Sequence, residues 1–284
     1  MKELITKLYG LYLNVLALVA PRQAGREGFM LFCRPFKSPI TRKQHEFFNS
    51  AERFDHEWDG HIIQGFRWGS GPKTVLFVHG WQSHSYRWKA YIESLPREEY
   101  TVYAFDAPGH GLSSGNFLSV PLYSSVIRNF IHQIGKVDAV AAHSLGGFSL
   151  LYTCFKDPTL PVGRIILMAT PGEATEFISA FRDALKLSDR VLALIVDHFT
   201  EKYNVSPHYF SALKFAAGLE VKGLIIHDED DPEAPYAYAQ SLHGAWKTSR
   251  MITTRGAGHN LKSPHVVKHL VDFLLEPVEV SNHG

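Results

Sequence analysis

The chain has 284 residues, 45% of them hydrophobic, and a formal net charge of +1. That length buries one large core with room for an inserted subdomain. The near-neutral balance, with no long basic run, excludes the electrostatic footprint of nucleic-acid binding, and two distant cysteines, Cys33 and Cys154, exclude a disulfide framework and point to a reducing, cytoplasmic setting.

The first segment, MKELITKLYGLYLNVLALVAP, is apolar but reads neither as an export signal nor as a membrane span. Glu3 lies in its leading region, Asn14 interrupts the apolar run, and the stretch before Pro21 is short for a bilayer. Leu4, Leu8, Leu11, Val15 and Val19 recur at helical spacing, with Lys7, Gly10, Asn14 and Ala17 on the other side. This predicts a retained amphipathic helix whose apolar row packs on the body of the protein or on a partner. Its polar face carries few cations, which argues against membrane contact. Residues 22–50 read as a linking arm with a helix near 41–50, so residues 1–51 form an N-terminal helical arm. RFDHEWDGHIIQGFRW predicts a hairpin turning at Asp59-Gly60. Short apolar runs then follow at 74–78, 101–105, 137–142, 164–168, 221–227 and 250–254. Continuous apolar runs suit strands buried on both faces, and their alternation with helical segments predicts an α/β fold with a mostly parallel, doubly wound sheet. Residues 172–218 carry no clear strand and read as helical throughout, a small helical cap inserted between two parts of the core, 52–171 and 219–284.

The stretch VDAVAAHSLGGFSLLYTC places Ser144 between a predicted strand and a predicted helix. A sharp strand-to-helix turn lifts its central residue out of the sheet and requires small neighbours, here Ala142 and Gly146. The helix start supplies free backbone N–H groups to hold a developing oxyanion. This is the G-x-S-x-G elbow with alanine at its first position. A serine nucleophile needs a base, and among 16 histidines His259 stands out, on the glycine-rich loop TTRGAGHNLKSP after the last predicted strand. Between the two lies VKGLIIHDEDDPEAPYAYA, a strand followed by the carboxylates Asp228, Glu229, Asp230 and Asp231. One of these can orient the histidine. Asp228 directly follows the strand, whereas Asp231 lies further into the loop, where Pro232 keeps it extended. TVLFVHGWQSHSYRW ends a strand at His79-Gly80-Trp81, so the Trp81 N–H joins that of Leu145 as a candidate oxyanion donor. Trp81, Tyr86 and Trp88 either wall an acyl pocket or pack their loop on the sheet, and His84 is placed to line the pocket. In YAFDAPGHGLSSG, Asp106 and His110 read as holding loop conformation. The carboxylate cluster lacks the glycine and spacing of a calcium loop, so neither a metal nor a cofactor is expected.

Over about residues 52–276 the elements HGW, DAPGHG, AHSLGG, DEDDPEAP and GAGH resemble the α/β-hydrolase superfamily. The resemblance implies the chain order Ser144, Asp231, His259 for the catalytic groups and places the acid at Asp231. Asp228 stands where many members have glycine, and residues 1–51 lie outside the resemblance. The implied activity is a serine hydrolase acting through an acyl-enzyme on a small-molecule carboxylic ester or related acyl compound. A carbon–carbon hydrolase, thioesterase, lactonase or perhydrolase would use the same residues, and a non-catalytic ligand-binding homologue would keep the pocket without turnover.

Overall fold

A computed structural model describes residues 2–276, with side chains from residue 5 onward, so Met1 and residues 277–284 lie outside the described residues. The chain opens with helices α1 (Lys2–Val19), α2 (Pro21–Phe32) and α3 (Arg42–Phe48). Strands β1 (Glu52–Trp58) and β2 (His61–Trp68) form an antiparallel hairpin in which Trp58 pairs with His61. Asp59 and Gly60 make its two-residue turn with φ of 48° and 73°, the left-handed pair that matches strand twist. The chain continues through β3 (Lys73–Val78), the short α4 (Lys89–Glu93), β4 (Tyr100–Phe105), α5 (Val120–Ile134), β5 (Ala139–His143) and α6 (Leu145–Lys156). Next come β6 (Arg164–Met168), α7 (Ala174–Leu185), α8 (Asp189–Tyr203) and α9 (Ala212–Ala216). The last elements are β7 (Lys222–Asp228), α10 (Tyr236–Ala245), β8 (Ser249–Thr254) and α11 (Pro264–Leu275).

The strands form one eight-stranded sheet in the order β1-β2-β4-β3-β5-β6-β7-β8. β1 and β2 join it antiparallel, and from β4 to β8 every pairing is parallel. Side-chain alternation divides the central strands between two cores. Leu76, Val78, Val140, Ala142, Ile165, Leu167 and Ile225 enter the core shared with α5, α6 and α10. Val75, Phe77, Ala139, Ala141, Ile166, Met168, Leu224 and Ile226 enter the core shared with α3, α4 and α11. Both sheet faces are thus covered, which is why these strands read as continuous apolar runs.

The N-terminal segment departs from its sequence reading in two ways. Residues 21–32, read as a linking arm, form α2, with Pro21 at its first position, where a missing N–H costs nothing. The second departure is the face on which α1 packs. Leu13 and Ala17 are 1% exposed, whereas Leu8, Leu11, Val15 and Val19 are 53–78% exposed. Close approach, not apolar area, decides the orientation. A Cβ on Gly10 would stand 1.8 Å from the carbonyl oxygen of Leu185, and one on Gly25 would stand 2.5 Å from that of Leu194. The side chain of Asn14 donates to the carbonyl of Lys186 at 3.0 Å and accepts from the amide of Ser188 at 2.8 Å. Asn14 thereby satisfies two backbone groups at the α7–α8 turn that water would otherwise serve. The small and polar row is the inward face, and the apolar row points outward.

Gly10→Val should therefore destabilise the protein by about 1–3 kcal/mol, the usual cost of overpacking, lowering the melting temperature by roughly 2–10 °C. Val15→Ser, on the outward row, should stay within about 0.5 kcal/mol of the parent. Paired thermal melts check both.

Candidate active site

The site assembles at the carboxyl edge of the parallel strands, where β3, β5, β7 and β8 each hand over to a loop. Ser144 sits between β5 and α6 with φ 52° and ψ −125°, a backbone state that costs a non-glycine residue roughly 1–3 kcal/mol. The surrounding structure enforces it. The Ser144 amide donates to the carbonyl of Met168 at 2.9 Å, which pins the turn to β6. Gly80 lies against it, since a Cβ there would be 2.9 Å from the Ser144 Cβ.

Ser144 Oγ donates to His259 Nε2 at 3.0 Å, and His259 Nδ1 donates to Asp231 at 2.9 Å to Oδ2 and 3.1 Å to Oδ1. Three side chains from three loops, separated by up to 115 residues, thus form one hydrogen-bonded line. Asp231 Oδ1 also accepts from the amides of Glu233 and Ala234 at 2.8 and 3.0 Å. Burial alone would raise the Asp231 carboxyl, but the His259 bond and the two amides outweigh it and hold the group below the ordinary carboxylate range. The neighbouring carboxylates do other things. Asp228 is fully buried and accepts from Thr254 Oγ1 at 2.7 Å and from the amides of Ala257 and Asp230 at 2.8 and 3.1 Å, fastening the histidine loop to β7. Its carboxyl is also held low, because these bonds outweigh burial. Glu229 pairs with Arg255 at the surface.

The Trp81 and Leu145 amides donate to no protein acceptor among the described residues, and Leu145 is the first residue of α6, whose positive end faces the serine turn. Around them the loops are fixed by buried polar side chains. His79 Nδ1 donates to the carbonyl of Gly80 at 2.7 Å, and its Nε2 accepts from the Ala107 amide at 2.9 Å. His110 Nε2 accepts from the Gln82 amide at 3.0 Å, and burial pushes this imidazole down to about 4. Asp106 accepts from the Ser85 amide and hydroxyl and from the Leu112 amide. These are loop-holding contacts, and none of them is to Ser144 itself. Trp88 stacks on Phe77 at 4.8 Å in the sheet core, Tyr86 meets Phe47 edge-on at 5.5 Å, His84 packs on Phe48, and Trp81 meets His110 edge-on at 5.4 Å. Phe181 meets Phe32 of α2, and Phe177 meets Phe148 of α6, so these rings of α7 pack on neighbouring helices.

Two features escaped the sequence reading. Glu233 places a carboxylate oxygen 3.7 Å from His259 Nε2, with its side chain 67% exposed. Arg87, in the turn Ser85–Trp88, is buried and donates to His143 Nδ1 at 2.9 Å and to the carbonyl of Asn260 at 3.1 Å. Glu233 lies in the DEDDPEAP element but has no role there that spacing reveals, Arg87 belongs to none of the elements that carry the family resemblance, and only the folded arrangement brings them to the histidine loop.

The sequence pattern of the Alpha/beta hydrolase family matches residues 75–224, more than half of the chain. The chain belongs to this family. A second pattern, described as TAP-like protein, matches residues 206–281. Among relatives, the human Serine hydrolase-like protein is 35% identical over 124 residues, 39% of this chain and 57% of its own length. The dihydrolipoyllysine-residue acetyltransferase component of the acetoin cleaving system from Cupriavidus necator is 29% identical over 136 residues, 47% of this chain and 36% of its own. The pimeloyl-[acyl-carrier protein] methyl ester esterase of Nitrosomonas europaea is 26% identical over 147 residues, 51% of this chain and 55% of its own. The matches thus span between about a third and just over half of these relatives' lengths. The crystal structure of a membrane phospholipase A, a bacterial virulence factor, superposes with a TM-score of 0.64 at 18% identity, covering 96% of this chain and 98% of the other. That likeness is one of fold and includes the N-terminal helices.

Because Asp228 and Asp231 have depressed folded values, their stabilising contribution is present above the unfolded carboxylate value of about 4 and is lost as pH falls through the folded values. Asp228→Asn should lower the melting temperature at pH 7, and the gap to the parent should shrink steadily between pH 5 and pH 3. Melts across that range test it.

Proposed function

We propose that this member of the family is a serine hydrolase that cleaves a small carboxylic ester or related acyl compound. The observation that carries this reading is the line from Ser144 Oγ through His259 to Asp231, each link at hydrogen-bond distance, with the serine held on a left-handed turn. In the proposed reaction His259 Nε2 takes the Ser144 proton as Oγ attacks the acyl carbon. Asp231, kept anionic, stabilises the imidazolium that forms. The Trp81 and Leu145 amides receive the tetrahedral oxyanion. The imidazolium then protonates the leaving alcohol, giving an acyl-Ser144 ester. Water attacks that ester with His259 again as base, releasing the acid and restoring the serine.

The acyl-directed relatives support the substrate class, as does Glu233, whose charge beside His259 disfavours an anionic group at that position. Helices α7 to α9 leave the sheet at the end of β6, the strand next to β5, so residues 172–218 act as a cap between core segments 52–171 and 219–284 in this reading. No helix among the described residues is long and apolar enough to cross a membrane.

A fluorophosphonate probe should label Ser144, and Ser144→Ala should abolish labelling and turnover. Asp231→Asn should reduce kcat about 10⁴-fold, the size seen when a triad aspartate is amidated elsewhere. Asp228→Asn, which only loosens the loop, should cost on the order of tenfold. Labelling at Ser83, Ser113 or Ser149, or near-parental activity in Asp231→Asn, would overturn the reading.

A further inference from the structure

The loop that carries His259 passes through two open glycines before Leu261 buries itself in the sheet core. Gly256 and Gly258 have φ of 74° and 56°, and a Cβ at either would meet nothing within 4 Å. On its β8 side the loop is fastened by Asp228 through Thr254 and Ala257. On its far side the Leu261 carbonyl accepts from the Tyr91 hydroxyl at 3.2 Å, and next to the histidine itself the fastening is a guanidinium. Arg87 is 8% exposed, and among the described residues it has no carboxylate within ion-pairing distance. A buried charge without a counter-ion is a cost to folding that a hydrophobic side chain of similar volume would avoid. Arg87 instead directs both ends of its fork at one target. Nη2 donates to the carbonyl of Asn260 at 3.1 Å, and Nη1 donates to His143 Nδ1 at 2.9 Å. With Nδ1 accepting, the imidazole proton of His143 sits on Nε2, which donates to the carbonyl of His259 at 2.8 Å. Two successive carbonyls of the loop, those of His259 and Asn260, are thus held from a single side chain, one directly and one through His143. His143 is also the last residue of β5, the residue before Ser144, so the same relay references the loop to the serine turn.

We infer that Arg87 and His143 are positioning residues, whose relay sets the location of the His259 imidazole relative to Ser144. This rests on the reading of His259 as the general base. The relay touches only backbone oxygens of the loop, so it acts on where the base stands and not on the reacting atoms. It serves acylation and deacylation alike, because both need Nε2 within reach of an oxygen. Displacement of a catalytic group by about 1 Å can cost 10²-fold in rate, and that is the scale expected here.

The test compares the parent, Arg87→Met and Arg87→Lys for hydrolysis of p-nitrophenyl butyrate, for the rate of fluorophosphonate labelling at Ser144, and for thermal stability. Arg87→Met should lower kcat and the labelling rate together by about 10²-fold, with KM within about threefold and a melting temperature within a few degrees of the parent. Arg87→Lys keeps the charge and one donor but not the fork, and should fall between the two. Folded Arg87→Met with kcat within twofold of the parent would overturn the inference, as would a loss of kcat matched by an equal loss of folded protein. If Arg87→Met does not fold, parental kcat in Arg87→Lys overturns it. A parent that takes no label at Ser144 sinks the hydrolase reading itself, and the positioning role with it.

Discussion

The parallel alignment of β3, β5, β7 and β8 is the constraint on which everything at the site depends. Parallel strands end at the same edge, so the loops that follow them converge although their residues are far apart in sequence. Residues of the HGW loop, the serine turn, the acid loop and the histidine loop therefore meet without any of them leaving its own strand. The sheet can hold this edge firmly because both of its faces are buried, with alternate residues of each strand committed to different cores.

A firm edge does not by itself hold loops, and here buried polar groups do that work. The Gly80 loop is held by His79 and Asp106, the acid loop by Asp231 accepting from its own following amides, and the histidine loop by Asp228 on one side and the Arg87 relay on the other. Most of these groups are single ionisable residues, buried and neutral or buried and multiply hydrogen-bonded. All but Arg87 satisfy two backbone groups at once, which is the economical way to fix an irregular chain away from water.

Much of this was legible in the sequence, and what was legible has a common cause. The central strands showed because two-sided burial leaves them mostly apolar. The hairpin showed because its turn demands left-handed residues, and Asp59-Gly60 supplies them. Ser144, His259 and the carboxylates showed because a strand-to-helix turn and a glycine-rich loop have local chemical requirements, and the following proline separated Asp231 from Asp228. Arg87 and His143 did not show as partners, because their relation exists only across 56 residues of folded chain. The face that α1 turns to the body of the protein did not show, for a different reason. Periodicity identifies the apolar side of a helix and assumes that this side is buried, but α1 docks against backbone carbonyls, where a small residue gains more by approaching than a leucine gains by burial. Gly10, Asn14 and Ala17 carried that information as size, not as hydrophobicity.

The pair of hydrogen bonds between Asn14 and the α7–α8 turn also has a mechanical meaning. With Gly10 seated on the last residue of α7 and Gly25 on α8, the two N-terminal helices and the helices following β6 touch at backbone level, beside ring contacts such as Phe32 with Phe181. Contacts of that kind transmit displacement instead of absorbing it. A force applied along the outer row of Leu8, Leu11, Val15 and Val19 is felt at the α7–α8 turn, about one helix diameter, or ~10 Å, away. The first helix of the chain is, in that sense, a handle on the segment that separates β6 from β7.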